Sequence, residues 1–120
     1  MADFHELGKS GEKLAVKYLT QKKYTILEQN WRAGSLEIDI IARIDDILVI
    51  TEVKSRATNY FGEPEEFVTK AKQRNLIVAA NKYIMKNNLE VETRFDIISV
   101  LFNNSNHKIY HIEDAFYPTL

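Results

Sequence analysis

The chain has 120 residues, 45% of them hydrophobic and 28% charged, with a net charge of -1 and a sequence pI near 6.3. That is the composition of one soluble globular domain spanning 1–120. The absence of cysteine excludes disulfides and thiolate metal sites. No apolar run approaches the roughly 20 residues of a membrane span, and the N-terminus lacks the apolar core of a signal peptide, so a cytoplasmic protein is expected. The mild acidity argues against a general nucleic-acid binder, although lysines crowd the first third of the chain.

Leu14, Ala15, Tyr18 and Leu19 recur at three- and four-residue spacing, which predicts a helix from Ser10 to Lys23. Tyr24–Leu27 reads as a short strand leading to Asn30-Trp31-Arg32, and Ala33-Gly34-Ser35 as a break. A hairpin follows, with strands 38–42 and 47–54 turning at Asp45-Asp46. After a loop containing Gly62, Pro64 suits the first turn of a helix with Glu65 and Glu66 beside it. This helix is expected to run to Lys86 and to bury Val68, Ala71, Leu76, Ala79, Ala80, Tyr83 and Ile84. Asn87-Asn88 ends it. Arg94–Phe102 and Lys108–Ile112 are strands separated by a polar turn. The order is α-β-β-β-α-β-β.

The hairpin carries the chemistry. Side chains alternate along a strand, so Leu36, Ile38, Ile40, Ala42, Ile44, Ile47, Val49, Thr51 and Val53 form one apolar face. Glu37, Asp39, Glu52, Lys54 and Arg56 share the other, at the end away from the turn. With a two-residue loop, Ile44 faces Ile47 and Asp39 faces Glu52. Opposed carboxylates repel, so the pair calls for a positive partner, either a divalent cation or Lys54. Carboxylate oxygens suit Mg²⁺, and a neighbouring lysine can hold an attacking water or neutralise developing charge. Glu12 falls inside the apolar arc of its helix, where a carboxylate needs a partner. Its plain alternative is a first-turn glutamate favouring the helix dipole. Exposed ion pairs are the plain alternative for Asp39 and Glu52.

The order Glu12, then Asp39, then Glu52-Val53-Lys54 resembles the PD-(D/E)xK nuclease superfamily, and Gly11-Glu12, Asn30-Trp31-Arg32, Glu37-Ile38-Asp39 and Glu52-Val53-Lys54-Ser55-Arg56 carry a narrower resemblance. With Gly62, Lys72, Arg94-Phe95-Asp96 and Ala115-Phe116 the whole chain resembles the YraN family of small bacterial proteins, itself similar to archaeal Holliday-junction resolvases. The resemblance implies a restriction-endonuclease-like α/β core with a central mixed sheet, and a Mg²⁺- or Mn²⁺-dependent DNA endonuclease, as a homodimer. Asp39 and Glu52 would ligate the metal, Glu12 would complete the acidic cluster and Lys54 would be the catalytic lysine. Leu36 stands where the family usually has glycine.

Arg56, Lys72 and Arg74 are the residues offered for nucleic-acid contacts, and a solvated helix face is an equal reading of Lys72 and Arg74. Trp31 reads as packing, Asp96 beside Arg94 as a structural charge, and His111 as a surface or core-edge residue. Two other function classes stay open: a non-catalytic nucleic-acid-binding module, and a protein-interaction scaffold whose acids form ion pairs.

Overall fold

A computed structural model describes residues 4–57 and 68–118. Among the described residues seven elements follow in the expected order: α1 (Phe4–Gln21), β1 (Thr25–Ala33), β2 (Leu36–Ile44), β3 (Ile47–Ala57), α2 (Lys70–Lys86), β4 (Glu92–Asn103) and β5 (Asn106–Phe116). The strands form one sheet in the order β1-β2-β3-β4-β5. Only β3 and β4 run parallel, joined through α2, and the other neighbours are antiparallel. This mixed α/β sheet with two helices is compatible with a restriction-endonuclease-like core.

Each hairpin turns through a residue in the left-handed region: Gly34 (φ 61°), Asp45 (φ 51°) and Asn104 (φ 54°). Glycine, asparagine and aspartate tolerate that conformation best. The Asp45-Asp46 loop sets Ile44 opposite Ile47, as expected. Lys23 (φ 74°) ends α1. The Tyr24 N–H reaches back to the Leu19 carbonyl and the Lys23 N–H to that of Thr20, a Schellman closure made without glycine.

The sheet is covered on both faces. On one face Ala15 and Leu19 of α1, with Tyr24, pack on Ile40, Ala42, Val49, Ile98 and Val100. On the other Leu76, Ala79, Ala80 and Tyr83 of α2 pack with Ile41, Leu48, Ile50, Phe95 and Ile97. Two covered faces explain why β3 and β4 read as near-continuous apolar runs.

Several expectations need correction. The first helix starts at Phe4, six residues before Ser10, and β1 extends to Ala33 because it pairs with β2 along its length. The second helix starts at Lys70. Val68 and Thr69 are not helical: Thr69 is extended (φ -65°, ψ 163°), and its hydroxyl caps the Lys72 N–H at 3.1 Å. Pro64, Glu65, Glu66 and the Gly62 loop lie outside the described residues. Ala71 is exposed rather than buried, since it falls on the outer side of the first turn. Leu36 and Ile38 pack with the α2 cluster and not with Ile40. The alternation therefore breaks at Asp39.

Candidate functional site

Asp39 sits where the sheet ladder is interrupted on both sides. Between β1 and β2 the pairs run from Gln29–Ile40 to Trp31–Ile38, passing over Asn30 and Asp39. Asn30 there adopts φ 52°. Between β2 and β3 the pairs end at Ile40–Thr51, one step short of Asp39–Glu52. In place of a backbone pair, the Val53 N–H donates to Asp39 Oδ2 at 2.8 Å. Strand β3 continues alone beside β4 to Ala57. The far end of the hairpin is thus opened by a side chain substituting for the ladder.

Glu52 lies in this opening, on the α2 side, and is only 3% exposed. Its Oε2 is buried without a hydrogen bond, with Lys72 Nζ at 3.4 Å as its ion-pair partner. Burial pushes the Glu52 carboxyl up to about 8, helped by its hydrogen bond to Asp39 and by the Asp39 charge; Lys72 and Lys54 oppose the shift without overcoming it. Glu52 therefore favours its protonated form at neutral pH, the usual outcome when a carboxyl is buried beside a like charge.

From the other face, α1 brings Glu12 to the same end. Gly11 permits this approach: a Cβ on Gly11 would lie 1.8 Å from Ser55 Oγ and 3.1 Å from Ser55 Cβ. Only glycine lets the helix backbone come so close to β3. Glu12 is half-buried and its carboxyl is raised, first by burial and then by the Asp39 charge, with Glu37 adding to it and a hydrogen bond from Asn30 opposing it. Glu37 itself pairs with Arg32 at 3.5 Å near the surface.

Glu12 and Glu52 are thus each brought into electrostatic reach of Asp39, and Lys54 into reach of Glu52. Glu12, Asp39 and Glu52 do not converge into one ligand set, however: among the described residues no three acids or histidines are placed to hold a metal ion together. Asp39 and Glu52 are the close pair. Arg56 follows Lys54 on the same side of β3 and is half-buried.

Lys72 and Arg74 separate. At 100° per residue they project about 200° apart. Lys72 turns in to Glu52, whereas Arg74 is exposed and lines an outer groove with Gln73, Ile77 and Tyr117. Sequence reasoning offered both for phosphate contacts and missed the pairing of Lys72 with Glu52. It also missed Asn30 as a partner of Glu12, for which the Asn-Trp-Arg triplet was the available signal.

A second polar cluster lies across the sheet, on the α1 side. Asp96 is fully buried and receives Arg94 Nε (2.9 Å), Arg94 NH2 (2.8 Å) and the Asp114 N–H (3.0 Å), with His111 Nε2 at 2.7 Å. Arg94 also donates to Tyr24 Oη at 2.7 Å, and His111 Nδ1 lies 3.2 Å from Tyr18 Oη. Burial alone would raise the Asp96 carboxyl, but the bonds from His111, Arg94 and Asp114 outweigh it and hold it low. His111, expected at the surface or core edge, has a side chain only 5% exposed.

A family model described as "Uncharacterised protein family UPF0102" matches residues 11–100, a span containing Gly11, Glu12, the whole hairpin, α2 and most of β4. A UPF0102 protein of Flavobacterium psychrophilum is 50% identical over 117 residues, covering 98% of each chain. One from Bacteroides thetaiotaomicron is 46% identical over 120 residues, covering 100% of this chain and 99% of its own. Another, from Thermodesulfovibrio yellowstonii, is 47% identical over 112 residues, covering 93% and 96%. The chain belongs to the UPF0102 family, the YraN-like family its motifs resemble.

Proposed function

We propose, for this member of UPF0102, a metal-dependent nuclease that hydrolyses phosphodiester bonds in DNA, of the PD-(D/E)xK type and akin to archaeal Holliday-junction resolvases, with branched or repair intermediates as substrates. One observation carries the reading. Two carboxylates meet at the opened end of the hairpin, one tied to a backbone N–H and the other buried with an oxygen that no hydrogen bond satisfies. Retaining such a pair costs stability, and a divalent cation would offset the repulsion between the two carboxylates. Mg²⁺ or Mn²⁺ fits, because such ions take one or two carboxylates and complete their shell with water and phosphate oxygens.

Asp39 and Glu52 would hold the ion, with Glu12 beside Asp39 reinforcing the negative field. When bound, such an ion would supply polarisation and charge neutralisation at the phosphodiester. The Val53 N–H fixes the orientation of Asp39. Lys54, on the same face as Glu52, would donate hydrogen bonds to the attacking water and to the charge that develops on the phosphoryl oxygens. Arg56 and Arg74 would meet backbone phosphates further along. No helix among the described residues is long and apolar enough to cross a membrane, and we place the protein in the cytoplasm as a homodimer, to be checked by fractionation and light scattering.

The test is cleavage of linear, flapped and four-way DNA with Mg²⁺ or Mn²⁺. Asp39→Asn, Glu52→Gln and Lys54→Ala should each lower the rate by roughly 10²–10⁴-fold. Equal cleavage by wild type and all three variants would assign the activity to a contaminant. That no three acids or histidines converge among the described residues favours a second reading, a nucleic-acid-binding module without turnover. DNA binding with no cleavage by wild type in either metal would select it.

A further inference from the structure

We propose that Lys72 is the resident counter-ion of the hairpin site: its ammonium occupies the place beside Glu52 that a divalent cation takes over, so that α2 sets how tightly the site holds metal. The inference rests on the metal site described above and adds a competitor to it.

Three observations support it. Lys72 belongs to the first turn of α2, where the helix dipole disfavours a cation. That turn carries Lys70 and Lys72 and no acidic residue. A lysine there gains from an anion, and among the described residues Glu52 is the anion it reaches. The contact is also loose. Lys72 Nζ stands 3.4 Å from Glu52 Oε2, an oxygen that makes no hydrogen bond, and the lysine side chain is 39% exposed. Already partly hydrated, the ammonium can therefore swing out into water at little cost. Finally, Glu52 is nearly sealed from solvent while its other close neighbour, Asp39, is an acid. The Lys72 ammonium on its flexible four-carbon stem, even with Lys54 nearby, balances this pair incompletely. A doubly charged ion drawing on both carboxylates balances it better, and the lysine is then free to meet a phosphate oxygen.

Two lysines reach Glu52, but in different ways. Lys54 extends from the same strand as Glu52 and stays beside it whatever α2 does. Lys72 arrives from the covering helix and is the one that can be displaced. Arg74, on the outer side of the same helix, is the natural control.

The experiment is calorimetric titration of the full chain with Mg²⁺ at pH 9, repeated with Ca²⁺, for wild type and for Lys72→Met, Lys72→Arg, Arg74→Met and Glu52→Gln. Circular dichroism checks that each variant is folded. Lys72→Met should bind about fivefold tighter than wild type, the scale of a partly exposed ion pair. Lys72→Arg and Arg74→Met should stay within about twofold of it. An affinity of Lys72→Met equal to or weaker than wild type would overturn the competition while leaving the metal site intact, provided Glu52→Gln abolishes binding. Binding that survives Glu52→Gln, or no binding by wild type, would overturn the site and this inference together. Metal binding with the expected order but no DNA cleavage would leave the competition standing and remove the nuclease reading.

Discussion

Asp96 and Glu52 are carboxylates on adjacent strands, both almost wholly buried, and they are treated in opposite ways. Asp96 is held by two bonds from Arg94, a backbone N–H from Asp114 and the His111 ring, and its carboxyl is held low. Glu52 has an acid for one neighbour and a loose lysine for the other, and its carboxyl is pushed up to about 8. A buried charge contributes to a fold when its lone pairs are filled. Left unfilled, it costs stability and remains available to a ligand. The first arrangement is that of a structural anchor between β4, β5 and α1. The second has the features of a site.

The contrast can be tested by neutralising each carboxylate in turn. Asp96→Asn strips Arg94 and His111 of their common acceptor, and should lower unfolding stability by about 3–5 kcal/mol in urea titrations at pH 7. Glu52→Gln should cost far less at that pH, since Glu52 already carries a proton for much of the time. If both losses were equal, the distinction between anchor and site would fail.

A second, smaller effect follows from pH. The Glu52 carboxyl titrates near 4.5 in the unfolded chain and near 8 in the folded one. Between those values the native state binds more protons, so its stability falls as pH rises. The fall should amount to about 2 kcal/mol once the coupling to Asp39 and the two lysines is discounted, and Glu52→Gln should flatten it. Asp96 has the reverse sign. Its carboxyl lies below the ordinary 3.8 when folded, so its contribution is present above about pH 4 and lost as pH drops further. A stability profile from pH 2 to 9, measured by thermal melts, separates the two limbs. A wild-type profile that stays level from pH 5 to 8 would contradict the raised value at Glu52.

The smallest effect concerns how α1 reaches the open end of the hairpin. Gly11→Ala drives a methyl into Ser55 Oγ and should cost about 1–2 kcal/mol. Ser55→Ala in the same chain removes the nearest clashing atom and should restore part of the loss. Metal affinity should drop with Gly11→Ala as Glu12 withdraws from Asp39. A neutral substitution would show that the close approach is not needed for positioning.

Much of the fold was legible because local signals agree with it. Asp45-Asp46 between apolar strands set the turn, and with it the Ile44–Ile47 pair; the expected ladder pair of Asp39 with Glu52 does not form, because the Asp39 side chain takes the Val53 N–H in place of the backbone. The boundaries that slipped were those decided by partners. Strand β1 runs past Leu27 because β2 is there to pair with it, and α2 begins at Lys70 because the Thr69 hydroxyl caps it. Asp96 and His111 looked like ordinary strand residues, since a buried network spanning α1, Tyr24, β4 and β5 leaves no periodic trace in any one of them.

What residues 1–120 determined alone was the order of elements and the gathering of Asp39, Glu52, Lys54 and Arg56 at one end of a hairpin. Both follow from strand alternation and turn chemistry, which act over a few residues. Only the tertiary structure decided which of those charges would be left unsatisfied. The Asp39 side chain replaces the ladder at Val53, Gly11 admits α1 against Ser55, and α2 turns Lys72 inward and Arg74 outward. Each of these depends on the distance between segments far apart in the chain, and desolvation acts through that distance.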